Sequence, residues 1–373
     1  MKKIFFSIVA IAALAACTKS EVAYEQPAEI GFAAVAGNMT KAAVDGTTFP
    51  TDLNMYIYAN TTGNTAAAAD YFAKAEFTYL GGYNTVNSTS SDTKAVWGGG
   101  SSSSSRNPYY WPNVNKLHFA GFSKSGNVES ATVAYDCAAN TLSITGYTPG
   151  TGFDNEGKPV ANDLMWFPST EFEQPEGFGK NTTYVPVDMY HACSWITFLV
   201  KGDTVTGAEG TTYTLTSLNI ANIDNTANVV CTGSATVTSE STVWSNNEDG
   251  KTADHAVTFG GGYNGILTQT ATNVETNQAT TTSGNVVVIP QQPGYLELTY
   301  TYTSEASKTI TEVFSIENNN APSLKLTTDP EDEDNVWEPG KHYIYTITIK
   351  ANEILVAPTP VDWADENYSI IVE

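Results

Sequence analysis

Arginine is all but absent from this 373-residue chain, which has a single one, Arg106. Basic residues number 17 against 40 acidic ones, charged residues make up only 15% of the whole, and the formal net charge is −23. Such an anionic surface repels nucleic acid and anionic lipid, so neither is expected as a partner. Histidine is nearly as scarce: His118, His191, His255 and His342 are the only ones, each isolated in sequence. No Cys-x-x-Cys pair and no Cys/His cluster offers a metal site. Gly-x-Ser-x-Gly, His-Glu-x-x-His and paired catalytic carboxylates are missing too, so neither a catalytic residue nor a cofactor is expected. Apart from Cys17, the cysteines Cys137, Cys193 and Cys231 form an odd set that cannot pair completely within one molecule. Cys193 and Cys231 both sit in strand-like runs, which allows a bridge, while buried free thiols are the plainer reading. His191 lies two residues from Cys193 and shares a strand face with it. That spacing suits a nucleophile and its base, and equally two packed core residues; packing is the expectation. No window of about 15 residues carries a helical stripe. The run from Ile4 to Ala16 is apolar but too short for a permanent span, which needs ~20 residues.

That run is nevertheless informative. Lys2 and Lys3 precede it, and it leads through Leu14, Ala15 and Ala16 into Cys17, the order of a secretory signal. The ending resembles the lipobox of bacterial lipoproteins, and the resemblance implies that the Cys17 thiol takes a diacylglycerol and, after cleavage before it, an N-acyl chain. An ordinary signal peptide with a chance cysteine is the alternative. A polar tether follows from Thr18 to Pro27, then a strand-like segment, Glu29 to Val35, and then Lys41, the only basic residue between Lys19 and Lys74. Gly37, Asn38, Thr40, Ala42 and Ala43 around it are small residues suited to an exposed loop that a protease can enter.

Downstream, apolar residues fall in short alternating runs separated by Gly and Asn, which predicts an all-β, sandwich-type protein. A length of 373 residues suits about two domains. In the first, Leu53 to Ala59, Ala75 to Leu80, Lys116 to Phe122, Ser143 to Tyr147 and Leu164 to Phe167 read as strands, with Leu53 to Ala59 half-buried. Gly98 to Arg106, rich in Gly and Ser, reads as a flexible loop. Tyr109, Tyr110 and Trp111 are expected to cap a core edge, with a carbohydrate platform as the functional alternative. A composition shift near Pro186 marks the boundary. Tyr190 to Lys201 is apolar on both faces and reads as a central strand founding the second domain. Leu215 to Ile223, Val229 to Val237, Asn285 to Ile289, Leu296 to Tyr302, Val313 to Ile316 and His342 to Lys350 follow, with a long loop from Thr268 to Ser283. The carboxylate run Asp329 to Asp334 could hold calcium through oxygen ligands, but it lacks the glycine and spacing of an EF-hand and reads as a solvated turn.

The set of motifs resembles the fimbrillin-type (type V) pilins of Bacteroidales. It comprises the lipobox, a first strand ending before a lone basic residue, Tyr109-Tyr110-Trp111-Pro112, Leu117 to Phe122, Tyr190 to Cys193, Val286 to Gln292 and Trp337 to Tyr345. The resemblance implies two transthyretin-like β-sandwich domains in tandem, 42–184 and 185–373, after a signal peptide (1–16) and a tether with a removable first strand (17–41). It implies export as an outer-membrane lipoprotein, then cleavage between Lys41 and Ala42 by an Arg/Lys-specific surface protease. Assembly with other pilin subunits by donor-strand exchange, into an adhesive extracellular fimbria, would follow. The residues themselves make sense of this scheme. Losing Ile30 and Phe32 with their strand would expose a sheet edge and core, which recruits a strand from another chain. The end of the chain, 354–373, supplies a candidate donor in Ile354, Val356, Val361, Trp363, Tyr368, Ile370 and Val372. An uncleaved anchor subunit of the same fimbria and a surface glycan-binding lipoprotein are the alternatives. Arg106 is the other conceivable cleavage point, but cutting there would remove half a domain rather than a strand.

Overall fold

A computed structural model of the chain describes residues 28–37, 49–61, 71–84, 93–112, 116–150, 163–173, 184–202, 212–224, 227–232, 241–245, 253–256, 266–267, 272–273, 286–303, 309–314, 326, 335–349 and 354–362. Among them the regular elements are all strands. In chain order the first ten are β1 (Gly31–Gly37), β2 (Met55–Thr61), β3 (Phe72–Asn84), β4 (Thr93–Ser102), β5 (Ser105–Arg106), β6 (Lys116–Ser123), β7 (Thr132–Asp136), β8 (Thr141–Tyr147), β9 (Met165–Glu173) and β10 (Val185–His191). The others are β11 (Ser194–Gly202), β12 (Thr212–Ile223), β13 (Ala227–Thr232), β14 (Ser241–Ser245), β15 (Ala253–Ala256), β16 (Ile266–Leu267), β17 (Thr272–Asn273), β18 (Val286–Val288), β19 (Tyr295–Thr303), β20 (Thr309–Phe314), β21 (Lys341–Ile349) and β22 (Ile354–Asp362).

The largest sheet has eight strands in the order β1-β10-β9-β6-β2-β3-β4-β5, and β1 also pairs with β4. That extra pairing closes seven of the strands into a ring, with β5 appended to β4. Two of its seams are short: β1 meets β4 at two residue pairs, and β10 meets β9 at two. Alternating residues line its interior: Met55, Ile57 and Ala59 of β2, Phe119 of β6, Phe167 of β9 and Val187 of β10 all belong to one buried cluster. The opposite faces of the same strands present Tyr56, Tyr58, Phe122, Trp166 and Tyr190 to a second cluster. Covering them is a four-stranded sheet, β14-β13-β8-β7. β2 is thus buried on both faces rather than half-buried, because β13 and β14, from far along the chain, complete the covering sheet. The Cys231 thiol and Trp244 enter from those strands, and the Trp244 indole donates to the Ala192 carbonyl at 2.7 Å.

Two details depart from the sequence pattern. Gly98 to Gly100 lie within β4, which turns back into β5; they are strand, not loop. A Cβ on Gly99 would sit 2.2 Å from the Asn107 carbonyl oxygen, and Gly100 adopts φ +133°, so the close return of the chain requires this glycine run. The long apolar run around His191 is two strands. Asp163 accepts the Cys193 N–H at 2.9 Å, and the Leu164 carbonyl accepts the Ala192 N–H at 2.8 Å. Those bonds withdraw two donors from any continuous ladder, so β10 stays with the ring while β11 passes into the next sheet.

That next sheet has the order β17-β11-β21-β22, with β18 also on β11, and it faces the sheet β15-β12-β19-β20. Ile196, Phe198 and Val200 of β11 meet Leu218, Leu298, Trp337, Tyr345 and Ile347 in the core between them. β11 is central, as its two apolar faces predict. On its other face the Trp195 and His342 rings stack 3.7 Å apart, and His342 Nε2 shares a 2.7 Å hydrogen bond with the Thr197 hydroxyl. Burial pushes His342 down from 6.5 to about 3. The unfolded chain therefore binds a proton that the folded chain excludes. The stability this contributes is intact above pH 6.5 and is lost as pH falls toward 3, at about 1.4 kcal/mol per pH unit. Between pH 6.5 and 4.5, denaturant unfolding should show a loss of roughly 2–3 kcal/mol from this residue. His342→Gln, which keeps a partner for Thr197, should flatten that slope; an unchanged slope would place the effect elsewhere.

Candidate functional site

The strand that closes the ring is the one expected to be removable. β1 runs parallel to β10, in register from Phe32↔Val185 to Gly37↔Tyr190. On its other side it is antiparallel to β4 at Gly31↔Gly98 and Phe32↔Trp97. Ile30 and Phe32 are fully buried and Ala34 nearly so. The Phe32 ring meets Phe77 and Phe119 edge-on at centroid distances of 5.0 and 5.1 Å, so it plugs the middle of the interior. Behind β1 the chain returns to Phe49, which is fully buried against Trp97, with ring centroids 5.2 Å apart.

The residues before β1 are held separately. The Ile30 N–H donates to the Tyr109 carbonyl at 2.7 Å, and the Trp111 N–H donates to the Ala28 carbonyl at 2.9 Å. Tyr109 packs on Phe72 at 4.5 Å and Trp111 meets Phe119 edge-on at 5.8 Å, so these rings close the end of the core. Only Tyr110 of the three is exposed, which leaves no platform of aromatic faces for a sugar. The single arginine also sits here. Arg106 Nη2 bonds Glu29 Oε1, while its Nε donates to the Gly99 carbonyl of β4 at 3.0 Å. Burial raises the Glu29 carboxyl above its usual range, against the opposing pull of Arg106. Nothing in the spacing of Glu29 and Arg106 announces this pair; it exists because β5 folds back beside β1.

The other sequence candidates resolve differently. His191 Nδ1 lies 2.5 Å from Asp163 Oδ2, with His191, Asp163 and Cys193 all buried. Burial, then the Asp163 charge, pushes the Cys193 thiol well up, the reverse of what an activated thiolate needs. Asp163 uses its two oxygens to fix His191 and the Cys193 N–H, so this group pins the joint between β10 and β11. Cys137, Cys193 and Cys231 are buried thiols outside any disulfide, as the plainer reading has it. The carboxylate run from Asp329 to Asp334 lies outside the described residues.

A model of the fimbrillin-like family matches residues 40–363. The chain belongs to that family. Residues 1–18 match the prokaryotic membrane lipoprotein lipid attachment site, which ends one position past Cys17. Among solved structures, a fimbrial protein from Bacteroides vulgatus shares 16% identity at a TM-score of 0.51, over 90% of this chain and 99% of that one. A putative cell adhesion protein from Bacteroides uniformis shares 15% identity at a TM-score of 0.41, over 90% of this chain and 99% of that one. The tip fimbrial protein of Porphyromonas gingivalis, truncated at its C-terminus, shares 10% identity at a TM-score of 0.33, over 90% and 100% of the two chains. No curated protein matches this fimbrillin-like chain closely enough to count as a relative.

Of the residues that the sequence marks in this family member, Ile30 and Phe32 are core residues of the ring. Ile354, Val356 and Val361 lie in β22, paired with Ile349, Ile347 and His342 of the same chain. Pro358 and Pro360 sit opposite Tyr345 and Tyr343 on this terminal strand of the sheet, where a residue without an N–H is tolerated. Cys17, Lys41, Ala42, Trp363, Tyr368, Ile370 and Val372 lie outside the described residues.

Proposed function

We propose that this chain is a structural subunit of an adhesive surface fimbria, delivered as an outer-membrane lipoprotein and polymerised by donor-strand exchange after trimming. The observation that carries the reading is the position of β1. It closes the ring between β4 and β10 and brings Phe32 into the centre of the core. A strand with two partners and buried side chains, close in sequence to the lipid attachment site, is an element whose removal would open a groove between β4 and β10. Cutting between Lys41 and Ala42 would release Cys17 to Lys41 with Ile30 and Phe32. The vacated edges of β4 and β10 would then present unpaired backbone to a strand from another subunit. The end of a neighbour beyond β22, with Trp363, Tyr368, Ile370 and Val372 as its apolar donor residues, would fill it. Ile354, Val356 and Val361, the other donor candidates of the sequence, stay paired with β21 of their own chain. In this scheme 42–184 and 185–373 are two transthyretin-like domains, the second lending strands to the first, since β10 joins the ring and β13 pairs with β8. Partners are other subunits of the same fimbria and an Arg/Lys-specific surface protease; the scheme needs no cofactor.

Lipid attachment has its own test. Fatty-acid labelling of cells should tag the wild-type precursor and miss Cys17→Ala, and equal labelling of both would remove the anchor from the scheme. The polymer is tested on surface-extracted protein by the mass of its N-terminus together with its behaviour in SDS. An N-terminus at Ala42 and SDS-resistant ladders support the reading. A lipidated Cys17 on ladder-associated protein would make the chain an uncleaved anchor subunit. Saturable sugar binding by a monomer, without ladders, would make it a glycan-binding lipoprotein.

A further inference from the structure

We propose that Arg106 sets the register and direction of the strand that fills the groove: its guanidinium holds Glu29 before cleavage and Glu373 of a neighbouring subunit afterwards. This inference rests on the strand-exchange reading above. The guanidinium has a hold on the groove besides its present partner, because its Nε donates to the Gly99 carbonyl of β4 at 3.0 Å while Nη2 takes Glu29. The Arg106 side chain is 30% exposed and the Glu29 side chain 22%. Loss of Glu29 with β1 would leave a fixed, partly buried cation at the end of an open strand site, and a charge-assisted bond is the strongest single polar contact such a site can offer. Beside it, the Tyr109 carbonyl and the Trp111 N–H, which now serve Ile30 and Ala28, would also await an extended partner. Geometry thus calls for a carboxylate followed by inward apolar residues one, three and five positions away, as Ile30, Phe32 and Ala34 follow Glu29.

Read backward from Glu373, Val372, Ile370 and Tyr368 fall at those three steps. The donor then runs opposite to β1, antiparallel to β10. Read forward from Glu353, Ile354 and Val356 fit the first two steps, but Ile354 to Asp362 is paired with β21 of its own chain along its whole length. Giving that strand away would break the ladder from Ile349↔Ile354 to Lys341↔Asp362, so Glu373 is the assignment.

The test uses the full-length chain in cells, scored by SDS-resistant ladders and by the N-terminal mass of the extracted protein. Arg106→Gln should still be cut to an Ala42 N-terminus yet give about tenfold fewer ladders, the loss expected for one charge-assisted bond. Arg106→Glu should give fewer still. Adding Glu373→Lys to Arg106→Glu should restore them, whereas adding Glu29→Lys should not, since Glu29 has left with β1. A lost packing contact would not be rescued by a charge on the donor. Undiminished ladders from Arg106→Gln, or rescue by Glu353→Lys in place of Glu373→Lys, would overturn the assignment while leaving strand exchange standing. Absence of ladders from the wild type would overturn both.

Discussion

Cells carrying Lys41→Ala should accumulate full-length, lipid-anchored monomers and build no fimbriae. With β1 in place, the proposed donor strand of a neighbour would compete against a segment of the same chain. A short tether gives that segment an effective concentration near ~1 mM. Against a donor at micromolar concentration this is about a thousandfold advantage, roughly 4 kcal/mol. Burial of Ile30 and Phe32 adds roughly 3–6 kcal/mol to what a displacing strand must match. In the proposed scheme cleavage would remove the competitor together with its lipid, so the exchange would become irreversible. No other basic residue between Lys19 and Lys74 offers an alternative cut. Deleting residues 363–373, beyond β22, should have the complementary effect, leaving cleavage intact while growth stops for want of a donor. The measurement is an immunoblot for ladders and full-length chain on the two strains, with electron microscopy of the surface. Normal fimbriae on the Lys41→Ala cells would sink the scheme.

Phe32→Ala should destabilise the uncut precursor by about 3–5 kcal/mol, the usual range for a buried phenylalanine. Its ring is fully buried and touches Phe77, Phe119 and Phe167 at centroid distances of 5.0, 5.1 and 6.3 Å. The edge-on contacts each add about 0.5–1.5 kcal/mol beyond area burial, which puts this site in the upper part of the range. Removing the ring from the centre of a closed ring of strands leaves a void that the surrounding ladders cannot collapse. Denaturant titration should show the midpoint falling with the slope unchanged. On the strand-exchange reading, the processed polymer should resist SDS as much as the wild-type polymer, because Phe32 would no longer be part of it. Polymer weakened to the same degree would mean that β1 stays in the assembled subunit.

Local pattern carried much of the architecture. The alternation in Leu53 to Ala59, Lys116 to Phe122 and His342 to Lys350 marks strands that the fold contains, and the two apolar faces of Trp195 to Val200 mark a central one. The lipobox ending at Cys17 and the strand carrying Ile30 and Phe32 were legible for the same reason: each is written in consecutive residues. What tertiary structure alone decided is who pairs with whom across long separations. Phe32 lies beside Val185, Val230 beside Ser143, Glu29 against Arg106, and Asp163 beneath the joint after His191. A strand's periodicity of two fixes which face is apolar, not which edge it joins, and many registers satisfy the same alternation. Closure of the ring by β1 emerges only when side-chain volume in one core and backbone pairing on two edges are met together, and that condition belongs to the folded chain as a whole.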